Sequence, residues 1–229
     1  MKLAMIPARG GSKRIPGKNI RSFLGKPIIG YSIQAAIDSG LFDEVMVSTD
    51  DDEIKNIALS LGAKVPFLRS NENSDDHATT ASVIKEVILQ YEVVGRTFDY
   101  TCCIYPTAPF VSAEVLVRAY SKLTMEKLQA VFPVMRYSYP IQRALKLSKE
   151  GRVDMFYPEF LTSRSQDLEP SYHDAGQFYF FNTEDFLIKG KLFTPDSGGI
   201  VISELEGHDI DNEDDWKIAE MKYELLRKR

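Results

Sequence analysis

The sequence predicts an α/β fold with a mainly parallel sheet, and three observations carry that expectation. Short apolar runs of strand length alternate with amphipathic stretches of ten or more residues. The runs LAMI and YTCCIY read as continuous apolar runs, as in strands buried on both faces. Polar loops follow Ile6, Thr49 and Tyr105, at the edge of such a sheet where ligands bind.

Taken in order, Leu3 to Ile6 reads as a buried strand and is followed by a basic, glycine-rich loop. A helix is expected from near Pro27, with Ile28, Ile29, Ile33, Ala36 and Ile37 on it and Gly40 as its C-terminal cap. EVMVST is the next strand. DDDEIKNIALSLG is a helix with acids in its first turn, which suits the helix dipole. AKVPFL reads as a short strand, RSNENSDDHATT as a polar loop and ASVIKEVILQYE as an amphipathic helix. YTCCIY is a strand, and SAEVLVRAYSKL is a helix opened by Ser112.

After AVFPV the alternation stops. Residues 135–172, rich in tyrosine, arginine and proline, read as an extended arm of hairpin strands and loops. GQFYFF then returns as a strand, TEDFLIKG as a short helix and GGIVIS as a strand, and a last helix runs from about Asn212 to Lys228. The aromatic stripe in GQFYFF is read as core. The 229 residues are treated as one domain, 1–229, with the arm as part of it.

Composition narrows the function. A net charge of −5 gives no global attraction to nucleic acid or to an anionic membrane, so the cations near the N-terminus are a local feature. No apolar run approaches the roughly 20 residues of a membrane span, and the apolar start is too short for a signal peptide. Cys102 and Cys103 are adjacent and would point to opposite faces of a strand, so they are expected to be buried free thiols in a reducing cytoplasm.

The chemistry concentrates in IPARGGSKRIPGKN, residues 6–19. Arg9, Lys13, Arg14 and Lys18 stand there with Gly10, Gly11 and Gly17, and no acid is among them. A Walker A loop reads G-x-x-x-x-G-K-[ST] and opens directly into a helix. Here five residues separate Gly11 from Gly17, Asn19 replaces Ser or Thr, and the helix is delayed, so a P-loop kinase or ATPase is disfavoured. Glycines that let amides approach an anion, beside forked and point-charge cations, still describe a polyphosphate site. A nucleic-acid backbone could use the same groups, but one basic loop on an acidic chain is a weak footprint.

Near the other end, GHDIDNEDDW holds Asp209 and Asp211. Residues two apart on an extended segment face one side, and such carboxylates can bind Mg2+ together with substrate phosphates, with Mn2+ an alternative. Asp211 could instead cap the last helix. His208 is expected to face solvent. For Asp50 to Asp52, helix capping is preferred to metal binding.

IPARGGSKRIPGKNIRSFLGKPII closely resembles the opening motif of the acylneuraminate cytidylyltransferase family, and later segments follow in the family's order over essentially the whole chain. The resemblance implies a Rossmann-like nucleotide-diphospho-sugar transferase fold with a mainly parallel mixed sheet and a protruding dimerisation arm. It implies a Mg2+-dependent transfer of CMP from CTP to a nonulosonic acid. PTAPF and YHDAGQFYFF are most similar to the branch that activates pseudaminic acid; N-acetylneuraminate, legionaminate or Kdo activation, or a non-catalytic nucleotide-binding module, are the alternatives.

By the same resemblance Arg9 and Lys13 contact the phosphates and act in catalysis with Asp211. Lys18 and Asn19 hold phosphate and nucleotide, and the backbone amides of Gly10, Gly11 and Ser12 line the rest. Arg69 and Thr80 are the nearest matches to further nucleotide-binding positions, although Thr80 could equally be a helix N-cap, and Asp76 and Thr79 are neighbours in unsettled register. The aspartates that bind metal in the family align with Asp209 and Asp211. Tyr105 stands where the family usually has glutamine, on the sugar side, which favours a modified nonulosonic acid. Arg136, Arg143 and Arg164 could pair with a sugar carboxylate, while Gln142, Tyr172 and His173 add hydrogen-bonding groups; ordinary arm surface or dimer contacts are the competing reading. In the family the arm crosses to a second subunit, which implies a homodimer.

Overall fold

The first apolar run forms a strand inside a seven-stranded sheet. In the computed structural model, residues 1–12, 14–75 and 78–228 are described. Lys13 and Asp76, named above, lie outside them. In chain order the elements are β1 (Lys2–Pro7), a small hairpin of β2 (Ser22–Phe23) and β3 (Lys26–Pro27), α1 (Ile29–Asp38), β4 (Glu44–Ser48), α2 (Asp52–Ser60), α3 (Thr80–Val93), β5 (Tyr100–Ile104), α4 (Ala113–Met125) and β6 (Ala130–Arg136). A hairpin of β7 (Leu145–Leu147) and β8 (Val153–Met155) follows, then β9 (Tyr172–Asp174), β10 (Phe178–Asn182), α5 (Thr183–Lys189), β11 (Ser197–Ile202) and α6 (Glu213–Arg227).

The sheet order is β11-β6-β10-β5-β1-β4, with β9 added against β6. β1 is parallel to β4 and β5, and β11 is parallel to β6. β10 runs antiparallel between β5 and β6, which makes the sheet mixed. The C-terminal ends of β1, β4 and β5 therefore lie side by side, and the polar loops after them meet at one edge, as expected for an α/β sheet.

Alternation along the buried strands splits the core into two layers. Ala4, Ile6, Val47, Cys102 and Ile104 face α1, α2 and α4, where Ile29, Ile33, Ile54, Ala58 and Leu116 meet them. Leu3, Met5, Met46 and Cys103 face α3 and α5 through Val83, Ile84, Val87, Ile88 and Phe186. Each large apolar side chain so covered contributes about 1.5–3 kcal/mol, which explains why these strands carry no polar face. Cys102 and Cys103 are buried, free and on opposite faces.

A third cluster joins distant parts of the chain. Ile15 of the basic loop, Phe23 and Ile28, Tyr31 of α1, Ile210 and Trp216 of α6 pack together. Phe23 meets Tyr31 and Trp216 edge to face at 5.4 and 5.6 Å. The loop after β1 is thereby fixed against the segment that carries Asp209 and Asp211.

Local chemistry explains most boundaries. Asp51 caps α2 by accepting from the Glu53 and Ile54 amides, and Ser112 caps α4 by accepting from Val115. Asn212 and Asp215 form a capping box at α6. Two expectations fail. The helix expected near Pro27 begins at Ile29, because Pro27 belongs to β3 and the chain turns back through Leu24 and Gly25, both with positive φ. AKVPFL is not a strand: Lys64 makes an isolated bridge to Met46, and Pro66, lacking an N–H, cannot extend it.

From the end of β6 the chain leaves the sheet and returns on β9, which pairs Tyr172 with Arg136. Between them lie β7, β8 and three short 3-10 turns, with Leu145, Leu147, Val153, Phe156 and Leu161 exposed.

Candidate active site

The loop after β1 is shaped by two features at its start. The Ala8 amide still bonds the Ser48 carbonyl at 2.9 Å, so the loop leaves the sheet in register with β4. A Cβ on Gly10 would lie 2.7 Å from Asp51 Oδ2, so only glycine lets the loop pass the cap of α2. Residues 17–21 then form a single turn, in which the Ile20 and Arg21 amides bond the Gly17 carbonyl and Gly17 has φ +63°. Asn19, nearly buried, donates through Nδ2 to the Arg9 carbonyl at 2.9 Å and closes the loop on itself.

The loop forms one wall of a cavity of about 490 Å³. Arg9, Ser12, Arg14, Lys18 and Asn19 come from the loop, Arg69 from beyond β4, Thr80 from the first turn of α3, and Tyr105 from the end of β5. Arg9 donates to the Asp75 carbonyl at 2.6 Å. Arg69 is buried, and its guanidinium donates to the Ser48 hydroxyl and carbonyl instead of to a carboxylate. Burial lowers its pKa, with Asp50 and Glu86 opposing that shift from a distance. A buried guanidinium at a cavity wall suits an anion, because a ligand's negative charge offsets its lost hydration.

Lys18 is the other enclosed cation. Its Nζ donates to the Ile210 carbonyl and stands 3.9 Å from Asp211 Oδ1. Burial lowers its pKa, and Asp211 and Asp209 counteract the shift. Arg14 Nη1 lies 2.7 Å from Asp211 Oδ2. Thus the basic loop and the distant acidic pair meet in space. Ile210 is fully buried between its two aspartates; Asp211 meets Arg14 and Lys18, and Asp209 lines the neighbouring cleft.

Two carboxylates suit a hard divalent cation, and no group of three or more His, Cys, Asp or Glu placed to hold a metal occurs among the described residues. Mg2+ is commonly held by one or two carboxylates, with substrate phosphates and water completing its shell. The donor set therefore fits Mg2+ or Mn2+ bound together with a triphosphate.

Tyr105 closes the far side of the cavity. Its hydroxyl lies 3.2 Å from Thr80 Oγ1, its ring meets Tyr179 edge to face at 6.0 Å, and its carbonyl accepts from Ser32 at 2.8 Å. Burial raises its pKa. Tyr179 in turn donates to Asp174, whose other oxygen accepts from the Gly176 amide.

Several expectations are corrected. The amides expected to line the phosphates have partners within the structure: Gly10 N–H donates to Asp50 Oδ1 at 3.0 Å, and the Ser12 amide donates to the Gly10 carbonyl. The N-cap of α3 is Thr79, which accepts from the Ser82 amide, so Thr80 keeps its hydroxyl for Tyr105. Asp211 is not the cap of α6; Asn212 is. His208 does not face solvent. It is mostly covered, with Lys222 3.5 Å from Nδ1, and burial, followed by the Lys222 charge, lowers its pKa.

The sugar-side residues are not all brought together within one chain. Tyr105 lines the cavity. His173 lines a neighbouring cleft of about 370 Å³ with Asp174, His208 and Asp209. Gln142, Arg143 and Arg164 are engaged within the arm, with the Glu169 carbonyl, the Ser165 hydroxyl and Asp167 respectively. Tyr172 is exposed on β9, opposite Arg136. Sequence reasoning gave no individual role to Arg14, Asp50, Asp174 or Tyr179; their partners lie tens of residues away or more and leave no local pattern, except for Tyr179 and Asp174, five apart across a bend.

Residues 3–182 match the family described as cytidylyltransferase. The chain belongs to the cytidylyltransferase family. This cytidylyltransferase is 44% identical to the pseudaminic acid cytidylyltransferase of Campylobacter jejuni, over 97% of this chain and 96% of that protein. It is 30% identical to the CMP-N,N'-diacetyllegionaminic acid synthase of Legionella pneumophila, over 97% of this chain and 96% of that one. Among solved structures, a CMP:2-keto-3-deoxy-manno-octonic acid synthetase complexed with CTP superposes with a TM-score of 0.72 at 15% identity, covering 100% of this chain and 99% of the other. That likeness supports the fold. The mixed, mostly parallel sheet is thus the cytidylyltransferase sheet, and its loop edge is where the cavity lies.

Proposed function

We propose that this cytidylyltransferase activates a nonulosonic acid, with pseudaminic acid as the sugar. The anomeric hydroxyl attacks the α-phosphorus of CTP, the bond to the bridging oxygen breaks, and pyrophosphate leaves with that electron pair. CMP-sugar is the other product. The observation that carries the reading is the meeting of the cations Lys18 and Arg14 with Asp211 at the rim of a cavity that also holds Arg9 and Arg69. The extended identity to pseudaminic acid cytidylyltransferases supports the choice of sugar.

In this reading Arg9, Lys18 and Arg69 receive the triphosphate, and Lys13 belongs to the same loop by sequence. Their charge is fixed before the reaction, so it stabilises the negative charge that builds on pyrophosphate without reorganisation. Asn19 holds the loop in shape, and Ser12 and Thr80 offer hydroxyls to the nucleotide. Asp209 and Asp211 would hold Mg2+ or Mn2+. The cation supplies Lewis-acid polarisation of the α-phosphate when bound. The proton of the attacking hydroxyl departs as the new P–O bond forms, and no side chain is assigned to receive it.

The arm completes the reading. Leu145, Leu147, Val153, Phe156 and Leu161 are exposed on one excursion of the chain, an unusual apolar display for a free monomer. A homodimer through 135–172 would cover them and place Gln142, Arg143, Arg164 and Tyr172 near a partner's cavity. Two buried free thiols fit a cytoplasmic enzyme, and no helix among the described residues is long and apolar enough to cross a membrane.

The test is pyrophosphate release from CTP with Mg2+ against a panel of pseudaminic, legionaminic, N-acetylneuraminic and 3-deoxy-manno-octulosonic acids. Release with pseudaminic acid above the others supports the proposal. Preference for another acid reassigns the sugar, and CTP binding without turnover on any of them rejects catalysis.

A further inference from the structure

Asp211 is paired with two cations in the structure. Both carboxylate oxygens of Asp211 face a cation: Arg14 Nη1 stands 2.7 Å from Oδ2 and Lys18 Nζ 3.9 Å from Oδ1. The two cations differ in freedom. The Lys18 side chain is 16% exposed and its Nζ is tied to the Ile210 carbonyl, whereas the Arg14 side chain is 69% exposed. Arg14 also lines the cavity beside Ser12 and Lys18, so one residue borders both the carboxylate and the cavity.

We propose that Arg14 is an exchangeable counter-ion that closes the metal position until nucleotide arrives. Without nucleotide its guanidinium occupies Asp211 and places a positive charge where a divalent cation would sit. A triphosphate carries several negative charges and offers the guanidinium a better forked partner than one exposed carboxylate. Its binding draws Arg14 off, which frees Asp211 at the moment the phosphates can complete the cation's shell. Nucleotide and metal then favour one another by more than their direct contact, and the reciprocity of linked binding requires the effect in both directions. Arg14 is a positioning residue here, acting through Asp211. The inference rests on Asp211 as a metal ligand, as read above.

The test uses Mn2+ alone as probe, titrated by electron paramagnetic resonance into the nucleotide-free full chain. Arg14→Ala is expected to bind Mn2+ about three- to tenfold more tightly than wild type, since one nearby unit charge is removed from a solvent-screened site. The gain should vanish in Arg14→Ala combined with Asp211→Asn. Arg14→Lys keeps the charge and should stay within about twofold of wild type. Conversely, CTP should tighten Mn2+ binding by a smaller factor in Arg14→Ala than in wild type, and Mn2+ should tighten CTP binding by that same smaller factor. Unchanged or weaker Mn2+ binding in Arg14→Ala, or no detectable binding in either protein, overturns the proposal, as does an equal gain in Arg14→Lys. Failure of the underlying reading is separable: if Asp211→Asn keeps full Mg2+-dependent pyrophosphate release, Asp211 is not a ligand at all. If that variant is inactive while Arg14→Ala leaves Mn2+ affinity unchanged, only the counter-ion role falls.

Discussion

The Asn19 side chain donates to the backbone carbonyl of Arg9 at 2.9 Å, so the basic loop is braced across its own mouth. A Walker loop is organised by the helix that follows it at once; here the next helix, α1, begins only at Ile29, and a side-chain amide does the bracing. Asn19→Ala removes this hydrogen bond to a partly buried carbonyl. The expected cost is about 1–2 kcal/mol in urea unfolding. The KM for CTP should rise about tenfold through misplacement of Arg9, with the sugar KM little changed. An unaltered CTP KM would mean that the loop holds its shape without this bond.

Tyr105 bears on substrate choice. Its hydroxyl meets Thr80 Oγ1 and its ring meets Tyr179. Tyr105→Phe removes one hydrogen bond, and Tyr105→Gln also removes the wall. With Tyr105 on the sugar side, the sugar KM should rise about threefold in the first variant and by tenfold or more in the second, as read from initial rates at saturating CTP. A rise confined to the CTP KM would place Tyr105 on the nucleotide side.

The exposed arm can be tested without touching the cavity. Leu147 and Phe156 are 73% and 54% exposed, so Leu147→Asp and Phe156→Asp leave the core intact. Sedimentation velocity should show a homodimer in wild type and a shift to monomer in the double variant. Activity should fall at least tenfold if arm residues serve a partner's site. A wild-type monomer at micromolar concentration would remove the arm from the mechanism.

Far from the cavity, Glu44 provides a pH test of the fold. Burial alone would raise its carboxyl pKa, but hydrogen bonds from Tyr91, Arg96 and Lys64 outweigh burial and hold it below 4.5. The same contact, after burial, pushes the Tyr91 phenol upward. A carboxylate depressed on folding stabilises the protein above its unfolded pKa, and that contribution is lost as pH falls through the lower folded value. Glu44→Gln should therefore be less stable than wild type by about 2–3 kcal/mol near neutral pH. The gap should narrow below pH 4.5 in denaturant unfolding across the acid range. A constant gap would mean that the carboxylate charge is not what the network recognises.

The two cysteines give a simple readout of core integrity. Burial pushes the Cys103 thiol up to about 12 and the Cys102 thiol upward as well. Neither should react with a thiol reagent in native protein at neutral pH, and both should react in denaturant. Rapid native labelling would show that β5 opens readily.

Much of the fold was legible because both faces of the central strands are covered. Continuous apolar runs, capping residues and polar loops placed β1, β4, β5 and their helices, and adjacent cysteines were correctly read as facing opposite layers. The direction of β10 was not legible, since an antiparallel insert has the same apolar pattern as a parallel strand. The hairpin β2–β3 has two-residue strands and a positive φ at Leu24, which no propensity announces. At the candidate site, residue types and spacing located the basic loop and the acidic pair. Their contact was out of reach, because it depends on Ile15 and Ile210 entering one cluster from opposite ends of the chain. The arm residues were chosen by chemistry alone, and within one chain Gln142, Arg143 and Arg164 turn to the arm's own groups.

The cluster of Ile15, Phe23, Tyr31, Ile210 and Trp216 also sets how this architecture can be rebuilt. The loop rests on a wall that the last helix supplies, so the stiffness of the basic loop is on loan from the end of the chain. A graft of residues 6–19 alone onto another α/β sheet would carry the charges but leave behind the surface that gives them positions. Trp216→Ala, about 3–5 kcal/mol of lost packing, would loosen loop and carboxylates together. Transplanting the chemistry means moving two distant segments as one mechanical part.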